Sequence, residues 1–316
     1  MNPNFEMIET NGVTLRTVVE GSGPLVILLH GFPQCWYLWR HQIEPIAQAG
    51  FRVAVPDQRG YGGSTCPPEV RDYNILELTA DIVGLASALG SDEFYLIGHD
   101  FGCIAAWNIA LIYRKECKAV MGLSVPGWRV DPRIINPPGM EDRYWYIREF
   151  QTLEKPEELF ERDLRETLVG LYFSLSADAP KAAFMKQLEH KKDAELSDIF
   201  PAPQKLPHWL TSEDLDYYVD QYKKSGFRGP INWYRNIPAN KDLTPELKGS
   251  RFVQPAAFAA GSEDAALQFD SNWQSRFEAS FDDLRFLEIL PGAGHWLPME
   301  KPRETTNLIL RFLLNL

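Results

Sequence analysis

The chain has 316 residues, 45% of them hydrophobic and 24% charged, enough to bury the core of one large domain or of a domain carrying a sizeable insertion. A formal net charge of -11 and a pI near 5.1 exclude nucleic acid and anionic membrane surfaces as main partners, because both need clustered Lys and Arg. The balance suits a substrate that is neutral, or at least not an anion.

The N-terminus, MNPNFEMIETNG, has neither a basic nor an apolar targeting region, so no signal peptide is expected. Apolar runs such as Pro24 to Leu29 fall far short of the roughly 20 residues that a membrane span needs. Cys35, Cys66, Cys103 and Cys117 are scattered without a C-x-x-C pair, which predicts a reduced, cytoplasmic setting and mostly buried, unpaired thiols. The six histidines form no metal-ligand cluster, so no metal is expected.

In chain order, Thr14 to Val19, Leu25 to Leu29, Phe51 to Val55, Phe94 to Ile97 and Ala119 to Ser124 read as strands. The last four are nearly continuous apolar runs, as parallel strands covered on both faces should be. Trp36 to Gln48, Ile75 to Leu89 and Cys103 to Tyr113 carry helical spacing, and the alternation predicts a mostly parallel, doubly wound α/β sheet. From Pro126 to about Thr244 the texture turns helical, charged and rich in Tyr and Trp, behind the turns Pro126-Gly127 and Pro137 to Gly139. Strand-like runs return at Phe252 to Ala260 and Leu284 to Leu290, before a final amphipathic helix at Arg303 to Leu314. The predicted organisation is a core of residues 1–125 and 245–316 with a helical cap at 126–244.

Gly98-His99-Asp100-Phe101-Gly102 lies directly between a strand and a helix, the context of a nucleophile elbow. Its central residue is Asp rather than Ser, which disfavours a serine esterase. A carboxylate with a reference pKa of about 3.9 needs no base to be nucleophilic near neutral pH, and the positive helix end should keep it ionised. The competing reading makes Asp100 only a helix N-cap.

A carboxylate that attacks carbon forms an ester, and turnover requires a base to activate water against it. His295, on the loop Pro-Gly-Ala-Gly-His-Trp after Leu284 to Leu290, stands where this fold places that base. Asp264, in Gly-Ser-Glu-Asp, would fix the imidazole tautomer, with Glu263 as its neighbouring competitor. His30-Gly31-Phe32-Pro33 follows a strand. The backbone N–H groups of Phe32 and Phe101 would form the oxyanion hole. His30 reads as a structural hydrogen-bonder, and Trp36, Tyr37 and Trp39 as core or pocket wall. Phe32, Trp36, Phe101 and Trp296 are the candidate pocket residues.

Taken together, His30-Gly31-Phe32-Pro33, Asp57-Gln58-Arg59-Gly60-Tyr61-Gly62, the elbow and Gly294-His295-Trp296 resemble the soluble, cytosolic-type epoxide hydrolases of the α/β-hydrolase fold. Gly229-Pro230-Ile231-Asn232-Trp233-Tyr234-Arg235-Asn236 is similar to the cap segment that supplies a ring-opening tyrosine in that family. The resemblance spans nearly the whole chain and is weakest between about 155 and 210. It implies conversion of epoxides to vicinal diols without a cofactor, with Tyr234 and Tyr146 as donors to the ring oxygen and Tyr144 as competitor for the second place. A phenol with a pKa near 10 is protonated at neutral pH and can serve an alkoxide, a far poorer leaving group than halide. The expected partners are a small apolar or aryl epoxide and water, with a homodimer left open.

Phe101 departs from the Trp often found after the nucleophile in this family, so substrate preference does not carry over. A haloalkane or haloacid dehalogenase shares the aspartate nucleophile and remains an alternative, with Trp36 and Trp145 as halide donors. A non-catalytic binding protein of the same fold is the other.

Overall fold

The computed structural model describes residues 3–127, 130–180, 189–190, 194, 196–268 and 272–316. Residues 128–129, 181–188, 191–193 and 195 of the expected cap, and residues 1–2, lie outside the described residues. Eight strands form one sheet: β1 (Phe5–Thr10), β2 (Val13–Gly21), β3 (Leu25–Leu29), β4 (Arg52–Pro56), β5 (Phe94–His99), β6 (Cys117–Leu123), β7 (Ala256–Gly261) and β8 (Leu284–Leu290). Their order is β1-β2-β4-β3-β5-β6-β7-β8. The β1–β2 and β2–β4 pairs are antiparallel and all others parallel. Every residue of β3 and β7 is buried, which is why those runs show no polar alternation.

Helices cover both faces. Ile75–Ala88 begins at Asn74, whose side chain accepts the N–H groups of Leu76 and Glu77. Phe101–Ile112 is buried on almost every side, so its apolar pattern is nearly continuous rather than a single stripe. The expected helix Trp36 to Gln48 is two pieces, a 3-10 turn Trp36–Trp39 and a helix Ile43–Gln48. Phe252 forms only an isolated bridge to Phe281, and the strand proper starts at Ala256, just after Pro255. The added strand β1 pairs with β2 through Asn11-Gly12, both at positive φ, the conformation that an Asn-Gly hairpin turn favours.

Between β6 and β7 the described residues are helical, without strands. The longest described helix of this stretch, Ser212–Ser225, opens on a capping box of Thr211 and Asp214 and stops at Gly226 with φ 65°. This insertion is tied to the sheet by polar contacts. Tyr172 donates to the Pro33 carbonyl at 2.9 Å, Trp233 Nε1 to the Arg59 carbonyl at 3.1 Å, and Arg16 to Gln221 Oε1 at 2.6 Å. No helix among the described residues is long and apolar enough to cross a membrane, and all four cysteines are free.

Candidate active site

The loops that follow β3, β5, β7 and β8 meet at the carboxyl ends of the parallel strands, where open α/β sheets place their ligands. They bring Phe32, Asp100, Asp264 and His295 together. Asp100 sits at the strand-to-helix turn with φ 54° and ψ -122°, a strained conformation for a non-glycine residue. The turn is tight because the glycines allow it: a β-carbon on Gly98 would lie 2.4 Å from the Gly102 carbonyl oxygen, and one on Gly102 2.3 Å from that of Leu29.

The Asp100 side chain makes no capping bond to its helix, so the N-cap reading fails. Its Oδ1 instead accepts the Phe32 N–H at 2.8 Å. Of the two backbone donors expected from sequence, the Phe32 N–H is the one hydrogen-bonded to this group, and Phe101 is the first residue of the helix that follows it. Burial pushes the Asp100 carboxyl up, but the hydrogen bond and charge of His295, the nearby His99 and the Phe101 N–H outweigh it and hold the group below its ordinary range.

His295 faces Asp100 on one side and Asp264 on the other. Nε2 stands 3.5 Å from Asp100 Oδ2, while Nδ1 stands 3.0 Å from Asp264 Oδ1. Asp264 is buried and its Oδ1 also accepts the Ala266 N–H at 2.9 Å, so it caps a short turn and holds the imidazole at once. Glu263 does not compete, because its carboxylate takes the Ser262 hydroxyl. Burial alone would strip the proton from His295. The charge of Asp264, the hydrogen bonds to Asp100 and Asp264 and the charge of Asp100 reverse this, and its pKa is pushed up to about 10.

A cavity of about 220 Å³ opens over these groups, walled mainly by apolar side chains. Asp100, His295, Phe32, Phe101, Tyr146 and Tyr234 all line it. Tyr146 opens the short helix Tyr146–Glu149 and Tyr234 lies on Arg228–Arg235, with their rings 6.0 Å apart. The two elements are fastened to each other. Arg235 Nε donates to the Phe150 carbonyl at 2.9 Å, Gln151 Nε2 donates to the Tyr234 carbonyl at 3.2 Å, and Arg235 pairs with Glu157 at 2.6 Å. Burial, reinforced by neighbouring groups that include Asp100, pushes both phenols well above their ordinary pKa, so they are protonated donors. Tyr144 does not line the cavity, which removes it as competitor to Tyr146.

Two pocket assignments need correction. Trp36 does not line the cavity, because its Nε1 donates to the Tyr217 hydroxyl at 2.6 Å and its ring packs edge-on against Phe5 and Tyr37. Trp296 also points away; its Nε1 donates to the Tyr172 carbonyl at 2.7 Å and its ring backs onto His295. In both, the indole N–H found a polar partner on the insertion, and that bond fixed the ring.

His30 is structural. Its Nε2 accepts the Gln58 N–H at 3.0 Å, and Gln58 returns a hydrogen bond to the His30 carbonyl. Sequence reasoning missed Glu300, whose buried carboxylate accepts the N–H groups of Gly294 and Trp296, on either side of His295. Its signal was modest: an acidic residue four positions after Trp296, directly behind a glycine-rich loop. Among the described residues, no group of three or more His, Cys, Asp or Glu side chains is placed to hold a metal ion.

The family model for the alpha/beta hydrolase fold matches residues 24–302. Epoxide hydrolase A of Mycobacterium tuberculosis is 38% identical over 99% of this chain and 98% of its own length. Epoxide hydrolase 3 of Siraitia grosvenorii is 32% identical over 97% and 96%. Among solved structures, epoxide hydrolase A from Mycobacterium thermoresistibile superposes with a TM-score of 0.91 at 39% identity, covering 99% of this chain and 98% of that one. An epoxide hydrolase from an endophytic Streptomyces gives 0.94 at 34% identity, covering 98% and 95%. The chain belongs to the α/β-hydrolase fold family and, within it, to the epoxide hydrolases.

Proposed function

We propose that the enzyme opens epoxides in two steps through a covalent ester on Asp100, releasing a vicinal diol. One observation carries the reading: the ionised Asp100 carboxylate, held by the Phe32 N–H and 3.5 Å from His295, lines the same apolar cavity as two protonated tyrosines. A carboxylate oxygen attacks one ring carbon, the carbon–oxygen bond of the epoxide breaks, and a proton from Tyr146 or Tyr234 goes to the departing oxygen. The residues 126–244 act as the cap that supplies both phenols, and the enclosed apolar walls suit a small apolar or aryl epoxide.

Ester formation changes the task of His295. The Asp100 charge that helped to raise its pKa is gone, so the imidazolium surrenders its proton, which restores the tyrosine. The neutral imidazole, its tautomer set by Asp264, then takes a proton from water as the hydroxide adds to the ester carbonyl. The tetrahedral oxyanion forms at the position served by the Phe32 and Phe101 N–H groups. Its collapse breaks the bond between the acyl carbon and the alkyl-bearing oxygen, which came from Asp100. The imidazolium gives its proton to that departing alkoxide, completing the diol, and the new carboxyl proton then passes to the neutral imidazole.

A dehalogenase would use the same nucleophile, but the indole N–H groups that could hold a halide are engaged elsewhere, Trp36 with Tyr217 and Trp145 with the Ile134 carbonyl. The test is one turnover in heavy-oxygen water with excess enzyme. The label should remain on Asp100 and be absent from the first diol. A first diol carrying solvent oxygen would overturn the two-step reading.

A further inference from the structure

We infer that Glu300 is a positioning residue for the ester-hydrolysis step, and that it locks the insertion to the loop that carries His295. The inference rests on the two-step reading given above.

The His295 backbone is held on every side. Its own N–H donates to the Leu175 carbonyl at 2.9 Å. Its carbonyl accepts from His99 Nε2 at 2.8 Å and from the Ser124 hydroxyl at 2.9 Å. The flanking residues have no such partners in the sheet. Glu300 supplies them: Oε1 accepts the Trp296 N–H, and Oε2 accepts the Gly294 N–H, each at 2.9 Å. The same Oε2 accepts a third N–H at 2.9 Å, from Ala177, just beyond the helix Leu164–Ser174 of the insertion. One carboxylate thus joins three donors from two parts of the chain.

Glu300 is deeply buried, only 7% exposed. Burial penalises the charged carboxylate and raises its pKa, opposed by the three N–H bonds. Each of those donors would in turn be left unsatisfied if the oxygens were removed. Charge-assisted bonds to backbone N–H groups are also stronger than neutral ones. The site has little room for a substitute, because a β-carbon on Gly294 would lie 2.5 Å from the Ala177 nitrogen. The loop and the Leu175–Ala177 segment therefore move together or not at all.

Function follows from which step uses His295. Attack by Asp100 needs no base, whereas hydrolysis needs Nε2 placed to within a fraction of an ångström. A loosened loop should then slow hydrolysis selectively. In a two-step scheme kcat/KM ends at ester formation, while a slow second step lowers kcat and KM together. A general folding defect does neither: it lowers kcat through the active fraction and leaves KM alone.

The test uses Glu300→Gln, which is close in shape but presents an NH2 group to at least one former donor. With a styrene-oxide-type substrate, kcat and KM should fall together by about 10- to 100-fold. kcat/KM should stay within about threefold, and the ester should accumulate on the peptide containing Asp100. Glu300→Asp, which keeps the charge at shorter reach, should fall between it and wild type. A loss of kcat at unchanged KM without adduct, or unaltered kinetics, would overturn the inference. If the variants do not fold, hydrogen exchange on the wild-type chain decides: the amides of Ala177, Gly294 and Trp296 should share one protection factor. An Ala177 amide about 100-fold less protected than the other two would sink the lock. Wild-type enzyme that forms neither adduct nor diol would instead count against the functional reading itself.

Discussion

Gly31 lies hard against the carboxylate of Asp100: a β-carbon at position 31 would stand 2.3 Å from Oδ1 and 2.4 Å from the Asp100 β-carbon. The glycine therefore serves approach rather than turn geometry, since it lets the Phe32 N–H reach Oδ1 at 2.8 Å. Gly31→Ala should displace the carboxylate or the loop by a large fraction of an ångström. The expected result is a loss of at least about 100-fold in the rate of ester formation. The fold should survive, because the added methyl meets one side chain at a loop. Rapid-mixing measurement of adduct formation, alongside a thermal melt, checks both halves; near wild-type alkylation would mean that the carboxylate has room to shift without cost.

In the proposed two-step scheme the tyrosines act in the step before hydrolysis. Removing one hydroxyl, in Tyr146→Phe or Tyr234→Phe, should slow ester formation by roughly 100-fold or more, in the range typical of one general acid. The double variant should form no measurable ester from an epoxide. Both rings pack in the aromatic cluster around Phe150, so the phenylalanines should fit without loss of stability. The stopped-flow rate of the first step is the deciding quantity. A single variant as fast as wild type would remove that tyrosine from the mechanism.

The elbow was legible because its chemistry is local. Two glycines around a charged residue, at a strand-to-helix junction, describe Asp100 before any packing is known. His295 and Asp264 were legible from chain order, since each follows a strand whose apolar run is plain. The N-terminal hairpin carried its own signal in Asn11-Gly12, yet Phe5–Thr10 alternates too weakly in hydrophobicity to be read as a strand without that turn. Trp36 and Trp296 were misplaced for another reason. Trp296 does stand against His295, but the direction of an indole depends on where its N–H finds an acceptor, here Tyr217 for Trp36 and Tyr172 for Trp296. Glu300 left only the faint mark of an acidic residue behind a glycine-rich loop, because its partners are backbone amides, which have no sequence signature.

Asp264→Asn keeps the size of the side chain but removes the charge facing Nδ1 of His295. The amide can donate to Nδ1, which would leave the proton on Nε2, the wrong nitrogen for a base aimed at water beside Asp100. Hydrolysis should slow by about three to four orders of magnitude, as tautomer errors do elsewhere, while ester formation is largely preserved. Intact-mass spectrometry after mixing with substrate should find the adduct persisting for far longer than in wild type. Rapid disappearance of the adduct would show that Asp264 does not set the tautomer.

The charge state of His295 also makes a prediction about stability. Burial lowers its proton affinity, but Asp264 and Asp100 more than compensate, and its pKa is pushed up to about 10 in the folded chain. In the unfolded chain the value is about 6.5. A raised folded value means that the native state binds the extra proton more tightly, so the contribution is fully present below about pH 6.5. It then declines with rising pH and is gone once the pH has passed about 10. Wild type should therefore exceed His295→Gln in unfolding free energy at pH 6.5, because the variant leaves two buried carboxylates without a cation between them. The gap should narrow as the pH rises, at up to about 1.4 kcal/mol per pH unit for a single proton. Urea titrations of both proteins across that range measure the gap directly. A constant difference would mean that His295 is neutral in the folded enzyme, and a widening one would reverse the sign of its coupling to Asp100 and Asp264.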